Sequence, residues 1–283
     1  MDGFNIGDVS LTWLNGGAIH LDGGAMFGVV PKPLWSRRYE ANEKNQIKER
    51  TDPILLQVGD KKIMLESGIG YGKLTEKQKK NFGCNEESGI KSSLNEMGIK
   101  PEEIDYVLLS HMHFDHASGL TERVAEGEYA AVFPRAGIIV SSEEWYEMRN
   151  PNKRSGNTYW RRNWEAVADR VETFESEREI LPEVKMFKTG GHSKGHSVIL
   201  IESRGERAVY MGDLMGTHAH FPSLWVMAYD DYPVDSVHVK EDLVYKEVCA
   251  GSWFIFYHDI YYRAVKWNED GEIIKTVKCC RRE

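Results

Sequence analysis

Tyr106-Val107-Leu108-Leu109-Ser110-His111-Met112-His113-Phe114-Asp115-His116 puts four metal-capable side chains, His111, His113, Asp115 and His116, within six residues behind an apolar run. The run is short and bounded by turn-like residues, which predicts a buried strand delivering its C-terminal end to a site. Residues two apart in an extended segment point the same way, so His111 and His113 are placed to share one metal. Asp115 and His116 fall where the chain must turn, ahead of Ala117-Ser118-Gly119, and can face a second. The stretch reads as half of a two-metal hydrolytic site.

Three further candidates, His192, Asp213 and His258, each follow another apolar segment, at 184–188, 207–211 and 253–257. Strand ends on one edge of a sheet gather side chains that are distant in sequence. Imidazole and carboxylate suit zinc, and also manganese, iron or cobalt; no Cys accompanies the motifs, so a thiolate structural site is not expected. A carboxylate at Asp213 can bridge two metals about 3.5–4 Å apart, and bound metal lowers the pKa of water toward about 7. Hydrolysis of a polarised carbonyl or phosphoryl centre then needs no Ser or Cys nucleophile.

The HxHxDH box at 111–116, with the Gly-His at His192, the Gly-Asp at Asp213 and the Tyr-His-Asp at His258, resembles the metallo-β-lactamase superfamily. The resemblance implies an αββα sandwich, with His111, His113 and His192 on one metal, Asp115, His116 and His258 on the other, and Asp213 bridging. Asp213 argues against true β-lactamases, whose sites lack that carboxylate. Trp13-Leu14-Asn15-Gly16-Gly17, Asp22-Gly23-Gly24-Ala25-Met26-Phe27-Gly28 and Trp253-Phe254-Ile255-Phe256-Tyr257-His258-Asp259 look like the quorum-quenching N-acyl-homoserine lactonase branch.

That branch implies opening of lactones by a metal-bridging hydroxide, with Asp115 as proton donor to the leaving ring oxygen and Asp213 as the second catalytic carboxylate. The cofactor implied is two divalent ions, zinc first. The rival within enzymes is a broad esterase or organophosphate triesterase on the same site; a non-enzymatic metal-dependent sensor is disfavoured by the complete ligand set. Where the family carries an Asp before the Gly turn, this chain has Glu66, one methylene longer; either it reaches the same partners by a shifted rotamer or the support of the ligands differs. His196 competes with His192 in the run Gly-His-Ser-Lys-Gly-His, and the resemblance assigns it a structural role.

The glycine-rich run at 21–28, followed by Pro31, Pro33 and Trp35, reads either as a loop bringing Met26, Phe27 and Trp35 to a ligand or as a cover for the core. The three are candidates for an acyl-chain pocket. His218 and His220 repeat the HxH spacing just after Asp213, and either substrate contact or a structural role fits them. Strands are predicted at 9–14, 54–58, 63–65, 137–140, 184–188, 197–202, 207–211 and 253–257, and helices at 75–82, 86–97, 141–148 and 234–250. Residues 150–170, rich in Arg and aromatics, suggest an insertion that rims a pocket or packs on a partner subunit, a plain surface helix being the commoner explanation. A homodimer is expected on that basis and on the resemblance.

Strands interleaved with helices, and no internal linker, predict one layered α/β domain over 1–283. The 283 residues suffice for a sizeable core. A formal charge of −8 with only short basic pairs disfavours nucleic acid. No run approaches the roughly 20 apolar residues that span a bilayer. The N-terminal residues lack the basic and apolar regions of a secretory signal, so a cytoplasmic protein with reduced thiols is expected.

Overall fold

Alternating apolar side chains build the centre of the fold. In the computed structural model, which describes residues 1–280, the strands Ile54–Val58, Lys61–Leu65 and Tyr106–Leu108 send Ile54, Leu56, Ile63, Leu65 and Leu108 to one face. Leu55, Met64 and Val107 go to the other. A sheet that is apolar on both faces must be covered on both. These strands are the middle of a seven-stranded sheet that also holds Asp2–Ile6, Val9–Trp13, Gly137–Ser141 and Val171–Phe174.

The first face packs on a second seven-stranded sheet, running in chain order from Glu177–Leu181 to Ile273–Lys278, through Val184, Met186, Ile199, Ile201, Tyr210 and Ile255. The helices Ile90–Glu96 and Ser142–Arg149 cover the other face with Ile90, Leu94 and Met148. Beyond the second sheet, Val244 and Val248 of the helix Pro233–Cys249 pack on Val198, Val209, Phe254 and Val265. The result is a four-layer αββα sandwich, the architecture that the motifs implied.

Strand direction decides where the motifs end. Lys61–Leu65, Tyr106–Leu108 and Gly137–Ser141 are parallel neighbours, so Glu66, His111 and the helix beginning at Ser142 leave the sheet at one edge. In the second sheet Glu206–Tyr210 and Trp253–Ile255 are parallel. Val184–Lys188 is two antiparallel pairings away from Glu206–Tyr210 and so runs with it. Their ends lead to Asp213, His258 and His192.

The structure differs from the sequence reading around the site, and the helix predicted at 86–97 begins only at Ile90. Part of the glycine-rich run belongs to the strand Ala18–Asp22, which pairs with Gln46–Arg50; Gly23–Phe27 is a short helix whose first turn is capped by Asp22, accepting from the Ala25 N–H at 2.8 Å. Residues 150–170 form turns and 3-10 segments rather than a surface helix. Among the described residues, no helix is long and apolar enough to cross a membrane.

Candidate metal centre

Two clusters form where the strand ends meet. In the first, His192 Nε2 lies 3.0 Å from His113 Nδ1 and 3.3 Å from Asp213 Oδ2, and His111 Nε2 lies 3.8 Å from the same carboxylate oxygen. In the second, His116 Nε2 and His258 Nε2 are 3.2 Å apart and each is 3.2 Å from Asp213 Oδ1. Asp115 Oδ2 completes it, at 3.7 Å from His116 and 3.6 Å from His258. Each Asp213 oxygen thus belongs to a different cluster, as a bridging carboxylate requires.

The donor set fits divalent metal ions. Ligand atoms about 2.0–2.1 Å from one tetrahedral ion are about 3.3–3.4 Å apart, close to the spacings within each cluster. His111 Nε2 and Asp213 Oδ1 are buried and make no hydrogen bond, which is costly unless something else binds them. The ligand atoms of His111, His113 and His192, of His111, His116 and Asp213, and of Asp115, His116 and His258 fall within 4.8 Å of one another in each group. Burial and the neighbouring imidazoles push His111 and His113 well below the usual histidine range, favouring the neutral ligand form. Burial works against charge on Asp213, but His116, His258 and His192 hold it well below the usual carboxylate value. Burial likewise opposes charge on His258, and the Asp213 carboxylate overrides it, raising the ring to about 9 in the metal-free chain.

The far sides of the rings are tied down. His192 Nδ1 donates to Asp230 Oδ1 at 2.8 Å and His258 Nδ1 to the Arg50 carbonyl at 2.7 Å, which in the neutral rings leaves each Nε2 bare toward its cluster. Glu66, fully buried and at a positive φ of 63°, accepts from Ser110 N at 3.1 Å and Tyr210 Oη at 3.0 Å, with its other oxygen 3.5 Å from His116 Nδ1. The longer side chain therefore comes within 3.5 Å of the ring without a hydrogen bond to it. His196 stands outside the clusters: its Nε2 accepts from Asp213 N at 3.2 Å. Gly212, at φ +53°, lets the turn pass there, since a Cβ would sit 2.5 Å from His196 Nε2.

Above the clusters lies a cavity of about 550 Å³, walled by Leu21, Met26, Phe82, Phe114, Met227 and Tyr229. Arg154, Ser155, Asn157 and Thr158 of the aromatic insertion rim it. Of the residues expected to bind substrate, Met26 lines this cavity. Phe27 and Trp35 do not: they are 0% and 1% exposed, stacked 4.9 Å apart within the core behind it. Successive residues of a helix point about 100° apart, so Met26 borders the cavity while its neighbour Phe27 points into the core. His220 stacks on Phe27 at 4.7 Å and is bonded to Thr217 Oγ1 and the Met26 carbonyl, and His218 Nδ1 lies 2.6 Å from Asp259 Oδ2. Both brace the loop after Asp213 outside the cavity lining.

Three residues of the site escaped the sequence reading. Asp230, in Tyr229-Asp230-Asp231, has no spacing that ties it to His192. Glu144 resembled a helix-start residue, yet its carboxylate joins the loops that carry the ligands, accepting from Met112 N at 2.7 Å, Ser193 Oγ at 2.5 Å and Tyr159 Oη at 2.8 Å. Glu49 lines the cavity from a strand with little strand signal.

Residues 49–251 match the family described as the metallo-beta-lactamase superfamily. The chain belongs to that superfamily. Among its relatives is an N-acyl homoserine lactonase of Bacillus cereus, 27% identical over 179 residues, covering 60% of this chain and 59% of the relative. The chain thus spans about six-tenths of the length of the curated relatives it matches. A solved structure of a probable metal-dependent hydrolase from Staphylococcus aureus is 48% identical over 99% of this chain and 100% of that one, with a TM-score of 0.95. AidC, a dizinc quorum-quenching lactonase in complex with a product, shares the fold at 16% identity and a TM-score of 0.80, covering 99% and 98% of the two chains.

Proposed function

We propose that this chain is a single-domain, dinuclear-metal hydrolase that opens lactones, N-acyl-homoserine lactones ahead of other esters. The observation that carries the reading is Asp213, whose two oxygens are divided between two histidine clusters at 3.2–3.3 Å on the floor of a cavity. His111, His113 and His192 would hold one ion, Asp115, His116 and His258 the other, and Asp213 both. When bound, such ions polarise an ester carbonyl and make water acidic enough to attack it near neutral pH.

The chain's own groups do the rest. Asp115 lines the cavity, with its carboxylate 3.6 Å from His258 and its backbone carbonyl held by Tyr257 Oη at 2.6 Å. It is positioned to carry a proton to the departing ring oxygen. Phe82 and Phe114, stacked 4.2 Å apart, and Met26 and Met227 give the acyl side of a substrate an apolar wall and keep bulk water from it. Asp230 holds His192 in place by a hydrogen bond, and the Glu66 carboxylate lies 3.5 Å behind His116. The names of the relatives support the substrate class, and the dizinc AidC supports zinc as the first metal to try.

Metal analysis combined with a pH-based screen of lactones of increasing acyl length tests the proposal. About two ions per chain and turnover of at least one acyl-homoserine lactone are expected. A fully metallated preparation that opens no lactone overturns it, and turnover of a phosphotriester in preference to lactones transfers the chain to the rival activity.

A further inference from the structure

The strand Gln46–Arg50 pairs with Ala18–Asp22 in the register Ile19↔Glu49 and Leu21↔Ile47. Paired residues and residues two apart share a face. The face shared by Ile19, Leu21 and Ile47 is therefore apolar except for Glu49. That glutamate is 1% exposed, its Oε1 has no hydrogen-bond partner, and it lines the cavity with Asp115, Asp213 and His258. Burying a carboxyl oxygen with nothing bound to it is costly, and a hydrophobic residue at this position would avoid the cost.

Two readings tied to the metals account for it less well. Glu49 does not join the groups whose ligand atoms gather within 4.8 Å of one another. Support of His258 is already supplied by the next residue, through the Arg50 carbonyl at 2.7 Å. That bond instead fixes where Glu49 sits, beside the second cluster and below the apolar wall. A second polar atom on the cavity lining has no partner either: Ser155 Oγ, on a residue 5% exposed. Apart from His113 and Asp213 in the metal clusters, the cavity lining thus holds one buried carboxyl oxygen and one buried hydroxyl without a partner.

Building on the lactonase reading, we propose that Glu49 is a specificity-determining residue, its buried carboxyl oxygen accepting a hydrogen bond from an N–H on the acyl side of the substrate. The substrate class it selects is the amide-bearing lactone, an N-acylated amino lactone, over lactones and esters without a donor. Ser155 Oγ–H supplies the complementary donor for the amide carbonyl. Either protonation state of Glu49 keeps an acceptor oxygen. A site built to bond a substrate N–H rejects the analogue lacking it, because its own polar group is then left unpaired.

The test uses the metal-loaded protein and two ligands that cannot be ring-opened: an N-acyl aminocyclopentanone, and the same molecule with its amide N–H replaced by CH2. Calorimetric binding to the wild type should favour the N–H ligand by about 10-fold or more. Glu49→Met, which fills the same space, should abolish the preference, and Glu49→Gln, which keeps an acceptor, should restore most of it, with metal content unchanged in both. No preference in the wild type overturns the proposal, as does a preference that survives in Glu49→Met. Loss of metal from both variants overturns it in favour of a role at the metals. If Glu49→Met does not fold, the wild-type ligand pair and Glu49→Gln still decide. Discrimination in binding without turnover of any lactone would sink the lactonase reading and leave the role of Glu49 standing.

Discussion

On the floor of the cavity three imidazoles are hydrogen-bonded on their far sides, His192 to Asp230, His258 to the Arg50 carbonyl and His111 to Ser110, and the Glu66 carboxylate lies 3.5 Å behind His116. On its wall, Leu21, Met26, Phe82, Phe114 and Met227 are placed by packing within two apolar clusters. Hydrogen bonds are directional and a buried donor left unpaired is penalised, so the floor has one workable arrangement. Dispersion and burial are not directional, so the wall tolerates changes of shape at small cost. On the proposed reading the chemistry belongs to the first region and the acyl-chain preference to the second.

The largest expected effect is on the floor. Asp213→Ala should lower metal content below two ions per chain and cut turnover by more than the ~10–100-fold typical of outer partners, as read by metal analysis and hydrolysis together. Retention of both ions with full activity would end the bridging assignment. One bond further out, Asp230→Ala should cost about 10–100-fold in metal affinity or rate, measured by competition with a chelator. An unchanged affinity would mean that the Asp230–His192 bond is incidental.

The wall should respond differently. Phe114→Ala is expected to shift preference among acyl-chain lengths by about 10-fold, the scale of one or two methylenes, with metal content untouched. Kinetics on a lactone series would show it, and a uniform loss on all chain lengths would place Phe114 with the floor. Smallest is a stability effect remote from both. Burial raises Glu247, but hydrogen bonds from Arg207 and Ser252 outweigh it and hold the carboxyl below its ordinary 4.5. Its folded-state value is depressed, so its contribution is fully present above about 4.5 and is lost as pH falls from there through the lower folded-state value. Glu247→Gln should therefore reduce stability above pH 4.5 by up to roughly 1 kcal/mol, discounted for the partial exposure of Arg207, and flatten the acid limb of the Tm–pH curve. A parallel shift of the whole curve would show that the loss does not come from its charge.

How far the sequence was legible follows the same division. His111, His113, Asp115 and His116 are adjacent residues, and His192, Asp213 and His258 each end an apolar run, so local pattern sufficed to find them. The strand Gln46–Arg50 was missed because its only apolar residue is Ile47; its pairing with Ala18–Asp22 is what makes it a strand. Phe27 and Trp35 were placed beside a ligand because glycines surround them, yet composition does not say which side of a short helix faces a cavity. Met26 faces it and Phe27 does not.

By itself, then, the sequence determined the alternation that stacks two sheets between helices, and the residue types that can hold divalent metals, because both depend on neighbours along the chain. Tertiary structure alone decided that one carboxylate divides its oxygens between two clusters. It also decided that Asp230 lies behind His192, 38 residues away, and that a glutamate interrupts an otherwise apolar face of the strand pair beside the cavity. Those are relations between distant segments, fixed by strand order and register, and no local periodicity records them.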